Sequence, residues 1–162
     1  MTAQHPSGLR LDDLPIPEDA AVTARWPAQM VEMADHIGAH ATLRLIDRYG
    51  GSRVRVPLDP ARAPFGDVLG GNLAAEFARI YGGNELQLPT AKAALAEARR
   101  APVLASVRNG DMTVADAAKL LGTARTYVSE LVNRSGEARG AKPLRRSGDD
   151  RQFDLFRKTA AR

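Results

Sequence analysis

Residues 35–57, DHIGAHATLRLIDRYGGSRVRVP, return as residues 67–89, DVLGGNLAAEFARIYGGNELQLP, and the two stretches align without a gap at an offset of 67 − 35 = 32. Asp35 matches Asp67, Gly38 matches Gly70, Tyr49, Gly50 and Gly51 match Tyr81, Gly82 and Gly83, and Pro57 matches Pro89. Each copy reads as a helix closed by a tyrosine and a C-cap glycine, because glycine reaches the left-handed backbone that ends helices at no steric cost. A short strand follows, in which Val54 and Val56, or Leu86 and Leu88, alternate with polar residues before a proline ends it. One helix with one short strand cannot stand alone, since both strand edges would carry unpaired backbone groups. The strands are therefore expected to pair, either with each other or with those of a second chain, and to turn Arg53, Arg55, Glu85 and Gln87 outward. The paired glycines could also be phosphate-cradling loops, but the strand-to-helix context and further glycines of such loops are missing.

Ahead of the first copy, WPAQMVEMADHI at residues 26–37 has Pro27 in its first turn and sets Met30, Met33, Ala34 and Ile37 on one stripe. That is the pattern of a short amphipathic helix serving the core or a dimer interface. Residues 1–25 are expected to be a flexible arm in which Leu9, Leu11, Leu14 and Ile16 dock on a neighbouring surface. After the second copy, Thr90 is placed to cap a helix through AKAALAEARRA, and Pro102 is expected to kink or restart it before Val103, Leu104 and Val107. Asn109 and Gly110 then form a turn.

Beyond that turn, TVADAAKLLGTARTYVSELVN at residues 113–133 fits a helix-turn-helix position by position. Gly122 supplies the positive φ of the turn, Val114, Ala118 and Leu121 line one face of the first helix, and Val128 and Leu131 pack against it from the second. Thr113 and Asp116 are spaced as a capping box, and Thr123 is a suitable N-cap for the second helix. With the second helix in a major groove, the residues facing base edges are Ala124, Arg125, Thr126, Ser129, Glu130 and Asn133. Arg125 can pair with both acceptors of guanine, Asn133 with adenine or a phosphate, and Glu130 with cytosine or Arg125 itself. Arg108, Lys119 and Arg134 are expected on backbone phosphates, and Thr123 is counted with the DNA-binding residues.

Charge is uneven along the chain. Residues 1–100 carry 11 basic and 12 acidic side chains, whereas residues 101–162 carry 12 and 7, so −1 stands against +5 in the half with the helix-turn-helix. This asymmetry suits a chain that meets phosphate at one end. The absence of cysteine excludes disulfides, thiolate zinc sites and a cysteine nucleophile. The N-terminus lacks an apolar signal segment and no later run reaches the length of a membrane helix, so a cytoplasmic protein without membrane contact is expected. A metal-dependent enzyme is the rival from another class, because Glu32, His36 and His40 recur every four residues. Against it, Gly38 weakens the helix there, the second copy has Val68 and Asn72 in place of the histidines, and no nucleophile, base and orienter group together elsewhere. No enzyme, cofactor or metal is expected.

The order of two helix-GlyGly-strand-Pro copies, a connecting helix with an arginine near its end, and a helix-turn-helix resembles the Mor transcription activator family of phage Mu and its relatives. The resemblance covers about residues 26–134 and is carried by IDRYGGSRVRVP, by FGDVLGGNLAAEFARIYGGNELQLP, by Arg108 and Asn109, and by MTVADAAKLLGTARTYVSELV. It implies a homodimer that dimerises through its N-terminal part, grips a dyad-symmetric promoter site in double-stranded DNA through the helix-turn-helix, and recruits host RNA polymerase. This chain has Arg55 and Gln87 where strands of that family usually carry an aromatic, and it continues past the second helix with GEARGAKPLRRSGDDRQFDLFRKTAAR. Within that continuation KPLRRSGDDRQFDLF alternates around a turn at 148–150 and can form a two-stranded wing bringing Arg145, Arg146 and Arg151 near phosphates, or remain a basic tail.

The fold class expected is mainly α with short β-strands: an arm (1–25), a repeat-containing helical dimerisation domain with a small strand pair (26–100), a helix-turn-helix (101–135), and a basic tail or β-wing (136–162). The functional expectation is a dimeric, sequence-specific activator of phage or prophage type. Its alternatives are a repressor or excisionase-like protein, and an inhibitor- or antitoxin-type interaction module that represses its own promoter.

Overall fold

Gly38 and Gly70 divide each copy of the repeat into two helices instead of the single one its periodicity suggests, with matching backbone angles of φ 84°, ψ 157° and φ 77°, ψ 162°. That region is essentially closed to residues with a Cβ. The computed structural model describes residues 10–137 except residue 63. In chain order these form α1 (Ala28–Ile37), α2 (Ala39–Tyr49), β1 (Arg53–Arg55), α3 (Gly66–Leu69), α4 (Gly71–Tyr81), β2 (Glu85–Gln87), α5 (Lys92–Asn109), α6 (Val114–Leu120) and α7 (Arg125–Glu137), with short 3-10 turns at Leu11–Asp13 and Pro60–Arg62. The chain is mainly helical with one small antiparallel sheet.

The strands pair with each other inside the chain, in the register Arg53↔Gln87, Val54↔Leu86 and Arg55↔Glu85. The repeat makes this exchange reciprocal: Gly51 N–H donates to Leu88 O at 2.9 Å while Gly83 N–H donates to Val56 O at 2.8 Å, and Val56 N–H meets Asn84 O while Leu88 N–H meets Ser52 O, both at 2.9 Å. Each Gly-Gly pair thus closes a helix and anchors the opposite strand. A Cβ on Gly50 would stand 2.4 Å from Ile46 O and 2.9 Å from Pro89 O, so the first glycine is fixed by lack of space. Val56 and Leu88 are buried and Val54 and Leu86 half-buried, whereas Arg53, Arg55, Glu85 and Gln87 face outward as their alternation requires.

The main core lies under this sheet. Met30, Met33, Ala34 and Ile37 of α1 meet Leu43, Leu45 and Ile46 of α2 and Phe77 of α4, with Phe65 at the centre. Phe65 stacks edge-on to Tyr49 (ring centroids 5.6 Å apart) and to Phe77 (5.4 Å), an arrangement that favours aromatic pairs beyond their buried area. A smaller second core joins Val103 and Leu104 of α5, Ala117, Ala118 and Leu121 around α6, and Val128 of α7. Helix α5 serves both, contributing Ala94 and Leu95 to the first and Val103 and Leu104 to the second. It runs unbroken through Pro102, so the helix does not restart there: burial on both sides of the proline offsets its missing hydrogen bond.

Between the two cores Arg99 is only 7% exposed. Its Nη2 donates to Asp47 Oδ1 at 2.8 Å, its Nε donates to Leu14 O at 2.9 Å, and Asp12 Oδ1 lies 3.8 Å from Nη1. The segment ahead of α1 is therefore tied to α2 and α5 at one point. Leu11 and Leu14 pack on the smaller core and Ile16 on the larger, in keeping with the expected docking of these side chains; Leu9 lies outside the described residues.

Two expected caps are replaced. Ala91, in the left-handed region at φ 38°, stands at the N-cap of α5 in place of Thr90. Thr123 likewise leaves the N-cap of α7 to its neighbour, Ala124. Among the described residues no helix is long and apolar enough to cross a membrane.

Candidate nucleic-acid interface

Thr113 caps α6 as its sequence suggests: its hydroxyl oxygen accepts from Asp116 N–H at 3.2 Å, and the hydroxyl donates to Asp116 Oδ2 at 2.6 Å. At the other end Gly122 adopts φ 62°, Gly122 N–H donates to Lys119 O at 3.2 Å, and Thr123 N–H donates to Ala118 O at 2.9 Å. This is a Schellman closure, and it consumes the backbone donor of Thr123 in ending α6. The carbonyl that receives the first bond of α7, from Val128 N–H at 3.2 Å, belongs to Ala124, so Ala124 holds the N-cap position expected for Thr123. Four residues, 121 to 124, connect the two helices.

Packing then decides which face of α7 is free. Val128 is fully buried against Ala117, Ala118 and Leu121, and Leu131 and Val132 are half-buried beside it. A helix that buries positions 128, 131 and 132 must present positions 126, 130 and 133 to solvent. Ala124, Arg125, Thr126, Glu130, Asn133 and Arg134 are exposed, Ser129 and Thr123 half-buried, and Arg108 and Lys119 exposed. Thr126, Glu130 and Asn133 thus share one outward side of α7, Ser129 sits on its flank, and Arg125 is exposed at the first residue of the helix, three positions before Val128. Among the described residues Arg108, Lys119, Arg125 and Arg134 have no carboxylate within ion-pair distance, and Glu130 does not bridge to Arg125. Such cations are available to an external anion without first breaking an internal pair. Arg145, Arg146 and Arg151, with the wing expected to carry them, lie outside the described residues.

Sequence reasoning missed a second basic feature at this end. Arg100 of α5 reaches α7, its Nη1 donating to the Tyr127 hydroxyl at 2.9 Å and its Nε to Ala96 O at 3.0 Å. Tyr127 remains 40% exposed. The available signal was an aromatic at the margin of the polar face, four residues before Leu131.

The Glu32, His36 and His40 spacing does not survive folding. Gly38 separates the two histidines onto different helices, His40 Nδ1 lies 2.9 Å from Pro17 O, and Tyr81 donates to Glu32 Oε1 at 3.3 Å. Burial, reinforced by the Glu32 carboxylate, pushes the Tyr81 phenol above the ordinary tyrosine range. No group of three metal-ligating side chains occurs among the described residues.

Comparison with protein-family models, with curated proteins and with solved structures finds no match for this chain.

Proposed function

We propose that this chain is a sequence-specific regulator of transcription that binds double-stranded DNA, with α6, the Gly122 turn and α7 acting as a helix-turn-helix. One observation carries the reading: α7 is held by Val128 on a small core while Thr126, Glu130 and Asn133 stand together on its opposite side and Arg125, exposed in its first turn, has no carboxylate partner among the described residues. A helix mounted in this way can lie in a major groove and offer hydrogen-bonding side chains to base edges. In this account Arg125 reads guanine, Asn133 reads adenine or holds a phosphate, Thr126, Ser129 and Glu130 complete the surface, and Arg108, Lys119 and Arg134 hold the backbone.

Resemblance of the repeat and its order of elements to the Mor family supports the finer reading: a homodimer of phage or prophage type that binds a dyad-symmetric site and activates transcription by recruiting RNA polymerase. Since β1 and β2 satisfy each other within one chain, dimerisation in this account uses outer surfaces of the repeat domain and not strand exchange. The test is duplex binding at several salt concentrations by the wild type and two variants. Lys119→Ala should weaken all sequences alike, and Arg125→Ala should weaken the preferred site by about 1–3 kcal/mol and flatten the preference. A reporter carrying the preferred site should rise in expression with the wild-type protein; a fall would remove the activator assignment while leaving DNA binding intact.

A further inference from the structure

Three parts of the chain meet beside α7 to enclose a groove of about 200 Å³: the segment ahead of α1 supplies Arg25, α5 supplies Glu97, Arg100 and Arg108, and α7 supplies Tyr127. Its charges do not cancel. Glu97 is occupied, accepting from Thr23 Oγ1 at 3.1 Å and lying 3.8 Å from Arg25 Nε. Arg100 and Arg108 have no carboxylate partner among the described residues, so the groove holds three guanidinium groups against one carboxylate.

Arg100 is also prepositioned. A guanidinium has five N–H donors, and the bonds to Ala96 O and the Tyr127 hydroxyl fix its plane while using two of them. A half-buried, oriented arginine with unused donors and no counter-ion is a receptor for a tetrahedral oxyanion, which accepts the fork in bidentate fashion. The groove adjoins the flank of α7 and not its outward side, where a duplex seated on that helix would run its sugar-phosphate strand.

We propose that this groove is a clamp for a DNA backbone phosphate, with Arg100 and Arg108 as the direct ligands, Tyr127 as a positioning residue and Arg25 as part of the lining. The assignment rests on the DNA-binding reading of α7 and extends it: the clamp fixes the register of the duplex and carries no sequence information. It also makes the segment ahead of α1 part of the binding surface, through Arg25.

The experiment is fluorescence anisotropy on a labelled duplex containing the preferred site and on one of scrambled sequence, across a salt series, using the full chain. Arg100→Ala should lower affinity for both duplexes about tenfold, and the slope of log affinity against log salt should fall by about 1. Arg100→Lys, which keeps the charge and loses the fork, should retain the slope while losing affinity. Tyr127→Phe, which frees Arg100 without removing a charge, should do the same to a smaller degree. Lys92→Ala, at the far end of α5, should change neither quantity, and circular dichroism should report the same helix content for all variants. If the wild type prefers its site but Arg100→Ala keeps full affinity and slope, the clamp is wrong and the α7 reading stands. If Lys92→Ala has the same effect as Arg100→Ala, generic charge and not the groove is responsible, and the clamp is again wrong. A wild type that binds neither duplex overturns both.

Discussion

Arg99 offers the sharpest energetic test of how the two cores are joined. Deleting Asp47 as alanine would leave a guanidinium that is 7% exposed with the Leu14 carbonyl and a distant carboxylate, Asp12, whose side chain is 90% exposed. Orphaning one member of a fully buried pair costs about 3–5 kcal/mol. Asp47 itself is 41% exposed, so water already reaches the carboxylate and can follow into the space it vacates. The expected loss is therefore smaller, about 1.5–3 kcal/mol, the range of a charge-assisted hydrogen bond. Arg99→Met removes the cation while keeping the stem, and should cost about 1–2 kcal/mol through the lost bond to Leu14 O. With no cation left to orphan, adding Asp47→Ala to Arg99→Met should cost under about 1 kcal/mol, which gives a coupling energy of about 1–2 kcal/mol. Urea unfolding of the four proteins, followed by circular dichroism, measures each term. Additive single and double variants, or an Asp47→Ala loss below about 0.5 kcal/mol, would refute the idea that this ion pair joins α2 to α5.

Other consequences concern the repeat and the turn. Phe77→Ala removes a ring at the centre of the aromatic cluster and should destabilise the protein by about 3–5 kcal/mol in the same urea assay, whereas Phe77→Leu should recover much of the loss. At Gly122 an added Cβ meets open space, so Gly122→Ala should cost only about 1–2 kcal/mol for the positive φ; Gly50→Ala, which forces a Cβ onto two backbone carbonyls, should cost more, and the reverse order of midpoints would contradict the geometry. Tyr81 should ionise above the ordinary tyrosine range in an absorbance titration, a component that Tyr81→Phe removes. Because its folded pKa is raised, its contribution to stability is fully present below the unfolded tyrosine pKa and is lost as pH rises through the folded one.

What was legible in the sequence was local. The Gly-Gly turns, the alternating strands, the α1 stripe, the Thr113 cap and the Gly122 turn depend on residues within a few positions of each other, and all appear at the expected places. The polar side of α7 was legible for the same reason, since burial of Val128 determines which of its neighbours face water. The cap expected at Thr123 failed because its backbone N–H closes the helix before it, and the cap expected at Thr90 moved one residue on to Ala91. Pro102 failed as a breaker because α5 is held from both ends by different cores. The strand partners could not be chosen from sequence, because matched copies present the same edges whether they pair within or between chains. Least legible was the chemistry that joins distant segments: Arg99 meets Leu14 across 85 positions and Arg100 meets Tyr127 across 27, separations that no periodicity reports.

The central claim is that α7 reads base sequence, and selection of bound duplexes from a random pool at physiological salt, with Arg125→Ala run in parallel, tests it most directly. A dyad-symmetric motif enriched by the wild type and lost or relaxed in the variant is the result this account predicts. Enrichment of no motif by the wild type, or of the same motif with equal strength by Arg125→Ala, would contradict it.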